Sequence, residues 1–218
     1  MRVINVKFID KSNVGDCSCS PCSYFPIKAE EVNIFRAKNL ASDDFIILGG
    51  GACLDFAYKA DVIWGAGMTN KTTNQPMPPE WIKWSKLIGI RDYIPGYRWL
   101  PCVSCMSPLF DREYEVKHDE VCYMNAVMKF DPQGKPFLYN SVKTMEEAVG
   151  FLGSAKKVIT NSYHGIFWSK LLGREVEVVE AYSSKFHQFK PEFSLEECRE
   201  ANLKFWEEFK NLLPLSSA

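Results

Sequence analysis

Several things are scarce or missing in this chain, and each absence removes a class of protein. No uninterrupted apolar run approaches the roughly 18 to 20 residues that a bilayer-spanning helix needs. The opening stretch MRVINVKFIDKSNVGD carries neither the apolar segment nor the small-residue cleavage site of a secretory signal. The expectation is a cytoplasmic protein without a transmembrane segment, with peripheral attachment to the inner face of the membrane left open. An excess of one charge is also missing: 26 Lys and Arg stand against 27 Asp and Glu, a net charge of -1. No global basic field invites nucleic acid, and any anionic ligand must be held locally. Repeats and low-complexity segments are absent. The glycines Gly49, Gly50 and Gly51 lack the spacing of the G-x-G-x-x-G dinucleotide fingerprint. No Asp-x-Asp pair is available to hold a divalent cation for a sugar nucleotide, so the carboxylates imply no metal. Histidine is scarce, with three in the chain.

What is present points to an α/β protein. At 218 residues with 46% hydrophobic side chains, the chain is long enough for one large domain or two small ones. Six Trp among 14% aromatics serve a core first and sugar stacking second. Eight cysteines in a chain with no secretory signal and an ample core read as reduced thiols. Cys19-x-x-Cys22 and Cys102-x-x-Cys105 have the spacing of a four-thiolate zinc or iron-sulfur site, with Cys17 beside them. The same thiols read first as small buried hydrophobes near strand ends, so no metal site is assigned.

Apolar strands alternate with amphipathic stretches, which predicts βα units and mainly parallel sheets. Strands are expected at Val3 to Ile9, at FIILGGG (45 to 51), at ADVIWGAG (60 to 67), at Leu87 to Arg91, in EVCYMNAVMKF and in KVITNS. EVEVVE reads as an exposed or edge strand. Helices are expected near Pro21 to Ala29, in WIKWSK, after Thr144 with Glu147 at the capping-box spacing, and from His164 to Leu172 closed by Gly173. A last one begins after Ser194. The piece YIPGYRWLPCVSCMSPLFD breaks every period. It divides the chain into an N-terminal α/β lobe, 1–105, and a C-terminal α/β lobe, 106–218.

In open α/β sheets, ligands bind beyond the carboxyl ends of the strands, where glycines let backbone approach and helix N-termini offer free amides. Four segments deliver unusual residues to such positions. NVGD supplies Asn13, Gly15 and Asp16; GGGACLD supplies Gly50 and Gly51; GIRD supplies Arg91 and Asp92; NSYHG supplies Ser162, His164 and Gly165. Taken singly, each is also explained by a turn, a cap or a local ion pair.

Together, NVGD, ILGGG, IWGAG, GIRD, LFD and above all ITNSYHGIFWSKLLGREV resemble, in order, the motifs of the polysaccharide pyruvyl transferase family, from about residue 12 to residue 187 if SSKF is counted. That resemblance implies two Rossmann-like lobes in a GT-B-type arrangement. It also implies transfer of pyruvate from phosphoenolpyruvate to a hydroxyl pair of a saccharide or lipid-linked oligosaccharide, in polysaccharide biosynthesis, with no other cofactor. It makes His164 and Asp16 the candidate catalytic residues, with Asp16 taking a proton from a sugar hydroxyl. Arg91, Ser162, Gly165, Gly50, Gly51, Asn13, Gly15 and Lys185 become the candidate donor-binding set. Ser162 stands where members with the activity tend to carry arginine. A sugar-nucleotide glycosyltransferase on the same scaffold and a non-catalytic saccharide-binding relative therefore remain alternatives.

Overall fold

The computed structural model describes residues 2–10, 12–57, 59–126 and 128–213. It is an α/β protein with two sheets, both parallel throughout. The chain divides into two compact units that are not its two halves. The first comprises residues 1–9, 19–106 and 183–218; the second comprises residues 10–18 and 107–182. One crossing, Met106 to Ser107, falls in the Pro-, Cys- and Ser-rich piece. The short excursion of residues 10–18 and the return at Ser183 carry no mark in composition, and a single split at 105/106 misses both.

In the first unit, β1 (Val3–Lys7), β2 (Glu30–Asn33), β3 (Phe45–Gly49), β4 (Val62–Ala66) and β5 (Leu87–Ile90) are arranged β2-β1-β3-β4-β5. Every residue of β1, β3 and β4 is buried, the condition under which a parallel strand reads as a continuous apolar run instead of an alternation. The pleat then sorts side chains by parity. Ile4, Val6, Ile46, Leu48 and Ile63 enter one core with Ile34 and Ile82. Val3, Phe45, Ile47, Val62 and Trp64 enter another with Phe205 and Phe209. The last two belong to the helix Leu195–Lys210, which covers that face; its N-cap Ser194 accepts from the Glu197 amide at 3.0 Å.

The opposite face is covered differently from expectation. Its connections are 3-10 helices, Ile34–Asn39 and Glu80–Trp84. On the face of the Leu195–Lys210 helix, where Phe25 and Ile27 pack, the helix expected near Pro21 to Ala29 does not form. Pro21 starts a three-residue 3-10 turn ending at Ser23. Pro26 then removes a backbone donor and bars its predecessor from helical torsions, so no second turn can follow.

The second sheet orders β6 (His118–Met124), β7 (Phe137–Tyr139), β8 (Ala155–Thr160) and β9 (Glu175–Val178) as β7-β6-β8-β9. The strand β9 is the exposed edge that the EVEVVE pattern predicts. α1 (Val14–Cys17), α2 (Met145–Gly153) and α3 (Tyr163–Leu171) belong to this unit, and α4 is the Leu195–Lys210 helix of the first. Thr144 caps α2 by accepting from the Glu147 amide at 3.1 Å. Gly173 follows α3 at φ +67°, the left-handed torsion that glycine adopts freely. Among the described residues no helix is long and apolar enough to cross a membrane.

Candidate functional site

In the second unit, the strand ends set the geometry. Three of the four strands are followed at once by asparagine: Asn125 after β6, Asn140 after β7 and Asn161 after β8. An amide side chain supplies both a donor and an acceptor, which suits positions where ladder bonding stops. The Asn125 amide N–H donates to Asn161 Oδ1 at 2.7 Å, and Asn125 Nδ2 donates to the Tyr182 hydroxyl at 2.9 Å. Asn140 Oδ1 accepts from the Ala126 amide at 2.8 Å, and Asn140 Nδ2 donates to Asn13 Oδ1 at 3.2 Å.

That last bond reaches a residue 127 positions away and docks α1 on the sheet edge, helped by the Val14 amide on the Asn140 carbonyl at 2.9 Å. Asn13 also caps α1, accepting from the Gly15 amide at 3.2 Å, while its Nδ2 donates to Asp16 Oδ2 at 2.8 Å. The Asp16 carboxylate is thus oriented by its own loop.

α3 starts where β8 stops. Ser162 is its N-cap, with Oγ accepting from the Gly165 amide at 3.5 Å. His164 lies in the first turn, 5% exposed, its ring centroid 5.3 Å from that of Tyr163 and 5.0 Å from that of Trp168. Above it passes Gly15: a Cβ there would lie 2.0 Å from His164 Nδ1. Only glycine lets α1 approach the imidazole so closely. Gly165 is constrained from the other side, since a Cβ would lie 2.3 Å from Thr160 Oγ1; it lets α3 seat against β8.

Asn13, Gly15, Asp16, Ser162, His164 and Gly165 are therefore brought together at the carboxyl edge of the second sheet. The ensemble offers an imidazole, the leading amides of α3 with their dipole, and the Asn161 Nδ2 donor. That amide nitrogen is buried without a hydrogen-bond partner among the described residues. It also offers a carboxylate and the Tyr182 phenol. Burial first, and the charge of Asp16 after it, hold that phenol above its ordinary pKa against the opposing Asn125 bond. Asn125, Asn140, Asn161 and Tyr182 escape motif reading, although an asparagine at the first position past each strand is a visible signal.

Arg91, Gly50, Gly51 and Lys185 belong to the first unit, at the carboxyl edge of its own sheet. Arg91 directly follows β5, its side chain 2% exposed, with Nε 3.4 Å from Asp92 Oδ1. Asp92 Oδ2 accepts from the Met68 amide at 2.7 Å. Burial raises the Asp92 pKa, opposed by the Arg91 charge and by that amide. Gly50 and Gly51 have φ of +70° and +65°, and the Gly51 carbonyl accepts from the Gly67 amide at 2.9 Å. Gly67 passes 2.3 Å, measured from a built Cβ, from Arg91 Nε. Lys185 lies in the 3-10 helix Ser184–Phe186, tied to the loop after β4 by Ser184 N–H on the Asn70 carbonyl at 2.8 Å.

Trp64 and Trp168 are fully buried and Tyr163 is 7% exposed, so these rings form core and not a sugar platform. The CSCSPC run is shared between the units, with Cys17 exposed in the second and Cys19 buried in the first. None of the eight cysteines forms a disulfide. Among the described residues no group of three His, Cys, Asp or Glu side chains is placed to hold a metal ion. Compared with protein-family models, with curated proteins and with solved structures, the chain has no match.

Proposed function

We propose that this protein transfers pyruvate from phosphoenolpyruvate to two hydroxyls of a saccharide, as a ketal. One observation carries the reading: Asn13, Gly15 and Asp16 meet Ser162, His164 and Gly165 across some 150 residues of chain, with Gly15 packed on the imidazole. An imidazole in the first turn of a helix, whose dipole favours negative charge, suits a phosphate dianion, and a carboxylate held by Asn13 suits a hydroxyl proton.

In the reaction, C3 of phosphoenolpyruvate gains a proton and becomes a methyl group. One sugar oxygen bonds to C2, and the second closes the ketal as the C2–O bond to phosphate breaks with its electron pair. The two hydroxyl protons balance the one taken by C3 and the one that leaves with phosphate. His164 contacts the phosphate and Asp16 accepts the first hydroxyl proton.

The test is inorganic phosphate release from phosphoenolpyruvate with saccharide acceptors, alongside thermal shifts with phosphoenolpyruvate and with sugar nucleotides. The expected outcome is acceptor-dependent phosphate release that falls at least about 100-fold in His164→Gln and in Asp16→Asn, the scale of a lost acid or base. Stabilisation by sugar nucleotides alone assigns the site to glycosyl transfer, and a shift from neither ligand assigns it to a non-catalytic relative.

A further inference from the structure

The 3-10 helix Glu80–Trp84 reads Glu-Trp-Ile-Lys-Trp. Side chains three apart eclipse in a 3-10 helix, so the five residues sort onto three faces. Ile82 enters the core, 1% exposed, and Trp81 packs half-buried against the same cluster. Glu80 and Lys83 pair on a second face at 2.5 Å. Trp84, three residues after Trp81, shares the third face with it. Trp84 is 87% exposed, more than any other large hydrophobic side chain among the described residues. A bare indole is a costly surface unless something covers it.

Both indoles line a cavity of about 370 Å³ together with Ser42, Asp43 and Lys59, a volume typical of small-molecule sites. It opens at the amino ends of β3, β4 and β5, whose first residues follow Asp44, Asp61 and Lys86. Two of the carboxylates there are already committed. Asp44 is bound by Arg2 at 2.8 Å and by the Ala41 amide at 2.9 Å; Asp61 is bound by Lys86 at 2.8 Å and by the Ile46 amide at 2.9 Å. The groups nearest the indoles are not. The Ser42 hydroxyl and the Asp43 carboxylate take part in no hydrogen bond or ion pair among the described residues, and Lys59 makes one long bond, 3.5 Å to the Ala41 carbonyl. Charge is balanced, with Asp43, Asp44 and Asp61 set against Lys59, Lys86 and Arg2.

We propose that this cavity is a saccharide-binding site separate from the candidate reaction site. The exposed Trp84 indole, with Trp81 lining the same cavity, offers an aromatic face to the C–H side of a pyranose, and a hydroxyl, a carboxylate and an ammonium with spare bonding capacity surround its hydroxyls. Local neutrality disfavours a phosphate or an amine and suits a neutral polyhydroxylated ligand. Strands of four or five residues at about 3.3 Å each put the cavity about 13 to 16 Å from the edge that carries Gly50, Gly51 and Arg91. It therefore retains a remote residue of a polymer and takes no part in chemistry.

The inference rests on the cavity alone, and its test uses no donor substrate. The intact protein is titrated with cellotetraose, maltotetraose and chitotetraose, following calorimetric heat and tryptophan emission, with self-association followed in parallel by sedimentation. At least one oligosaccharide binds saturably and shifts the emission to the blue. Trp84→Ala and Asp43→Ala weaken that binding at least about tenfold, Trp84→Tyr restores it, and His164→Gln leaves it unchanged. Because Trp84 is on the surface, its variants keep the parent circular dichroism. Binding of none of the three, or binding that persists in Trp84→Ala, overturns the assignment. So does concentration-dependent dimerisation lost in Trp84→Ala without sugar binding, which gives the face to a second copy of the chain.

Discussion

The closest functional contact in the second unit is a glycine on a ring. Gly15 has an ordinary negative φ, so its requirement is space and not torsion: a methyl group would lie 2.0, 2.6 and 2.8 Å from His164 Nδ1, Cγ and Cε1. An imidazole packed between that backbone and Trp168 has no room to retreat. Gly15→Ala should therefore cost about 1 to 3 kcal/mol, the usual penalty of overpacking a filled site. If the clash is with the ring, Gly15→Ala in a His164→Ala background should cost much less, and the double-mutant cycle read by urea unfolding should show a coupling of that same sign. Additive penalties would mean that Gly15 is needed for the Asn13 loop and not for His164. The comparison separates a residue shaped for the histidine from one shaped for its own turn.

Helix caps and strand cores are legible at the scale of elements because they depend on near neighbours. Thr144 with Glu147, Ser194 with Glu197, and Gly173 after α3 all stand where local pattern puts them. The 3-10 helix Ile34–Asn39 and the short strands β2 and β7 were not legible, whereas Glu80–Trp84 matches the helix expected in WIKWSK except for its tighter 3-10 winding. The missed residues lack a clear period and are held by long-range partners, as Asn5 Nδ2 on Glu31 Oε1 of β2 at 3.3 Å illustrates. The cysteines make the same point. Cys-x-x-Cys spacing suggests a metal, whereas the 3-10 helix Val103–Met106 packs its one thiol, Cys105, against α4. The Cys105 carbonyl accepts from Arg199 Nε at 3.0 Å, and Asn202 Nδ2 donates to the Cys198 carbonyl at 3.0 Å. Burial first, then neighbouring Cys198 and Cys102, raises the Cys105 thiol; burial first, then Glu197, pushes Cys198 up to about 12. The sign of the linkage follows. These thiols keep in the folded state protons that the unfolded chain releases near its ordinary pKa of about 8.5, so their contribution to stability is intact below that value and is lost as pH rises towards the folded value, about 12 for Cys198. Cys198 should remove about 1.4 kcal/mol per pH unit within its window. The urea midpoint should fall between neutral and about pH 10, and the fall should shrink in Cys198→Ala. In native protein at mild alkaline pH, a thiol reagent should modify exposed Cys17 first and reach Cys105 and Cys198 only on unfolding.

At the scale of the whole molecule, neither unit is a continuous piece of chain, and the first cannot be completed without the last segment. α4 brings Phe205 and Phe209, both fully buried, to ring distances of 4.9 and 5.3 Å from Trp64. Asn202 Oδ1 accepts from the indole of Trp64 at 2.9 Å. Gly89 of β5 shows how tightly the helix is seated, since a Cβ there would lie 2.9 Å from the Phe205 ring. Losing a buried phenylalanine typically costs about 3 to 5 kcal/mol, and an orphaned buried indole N–H about 1 to 3 kcal/mol. Two rings and one bond together rival the whole stability of an ordinary domain, about 5 to 15 kcal/mol. A chain ended after Ser194 should therefore fail to form the first sheet, although all five of its strands are still present. The expected signature is red-shifted tryptophan emission and loss of the cooperative transition in that unit, with recovery when a peptide of residues 195–213 is added. A truncated chain that unfolds cooperatively with native emission would show that β1 to β5 close their core unaided, and that α4 is an accessory to that sheet.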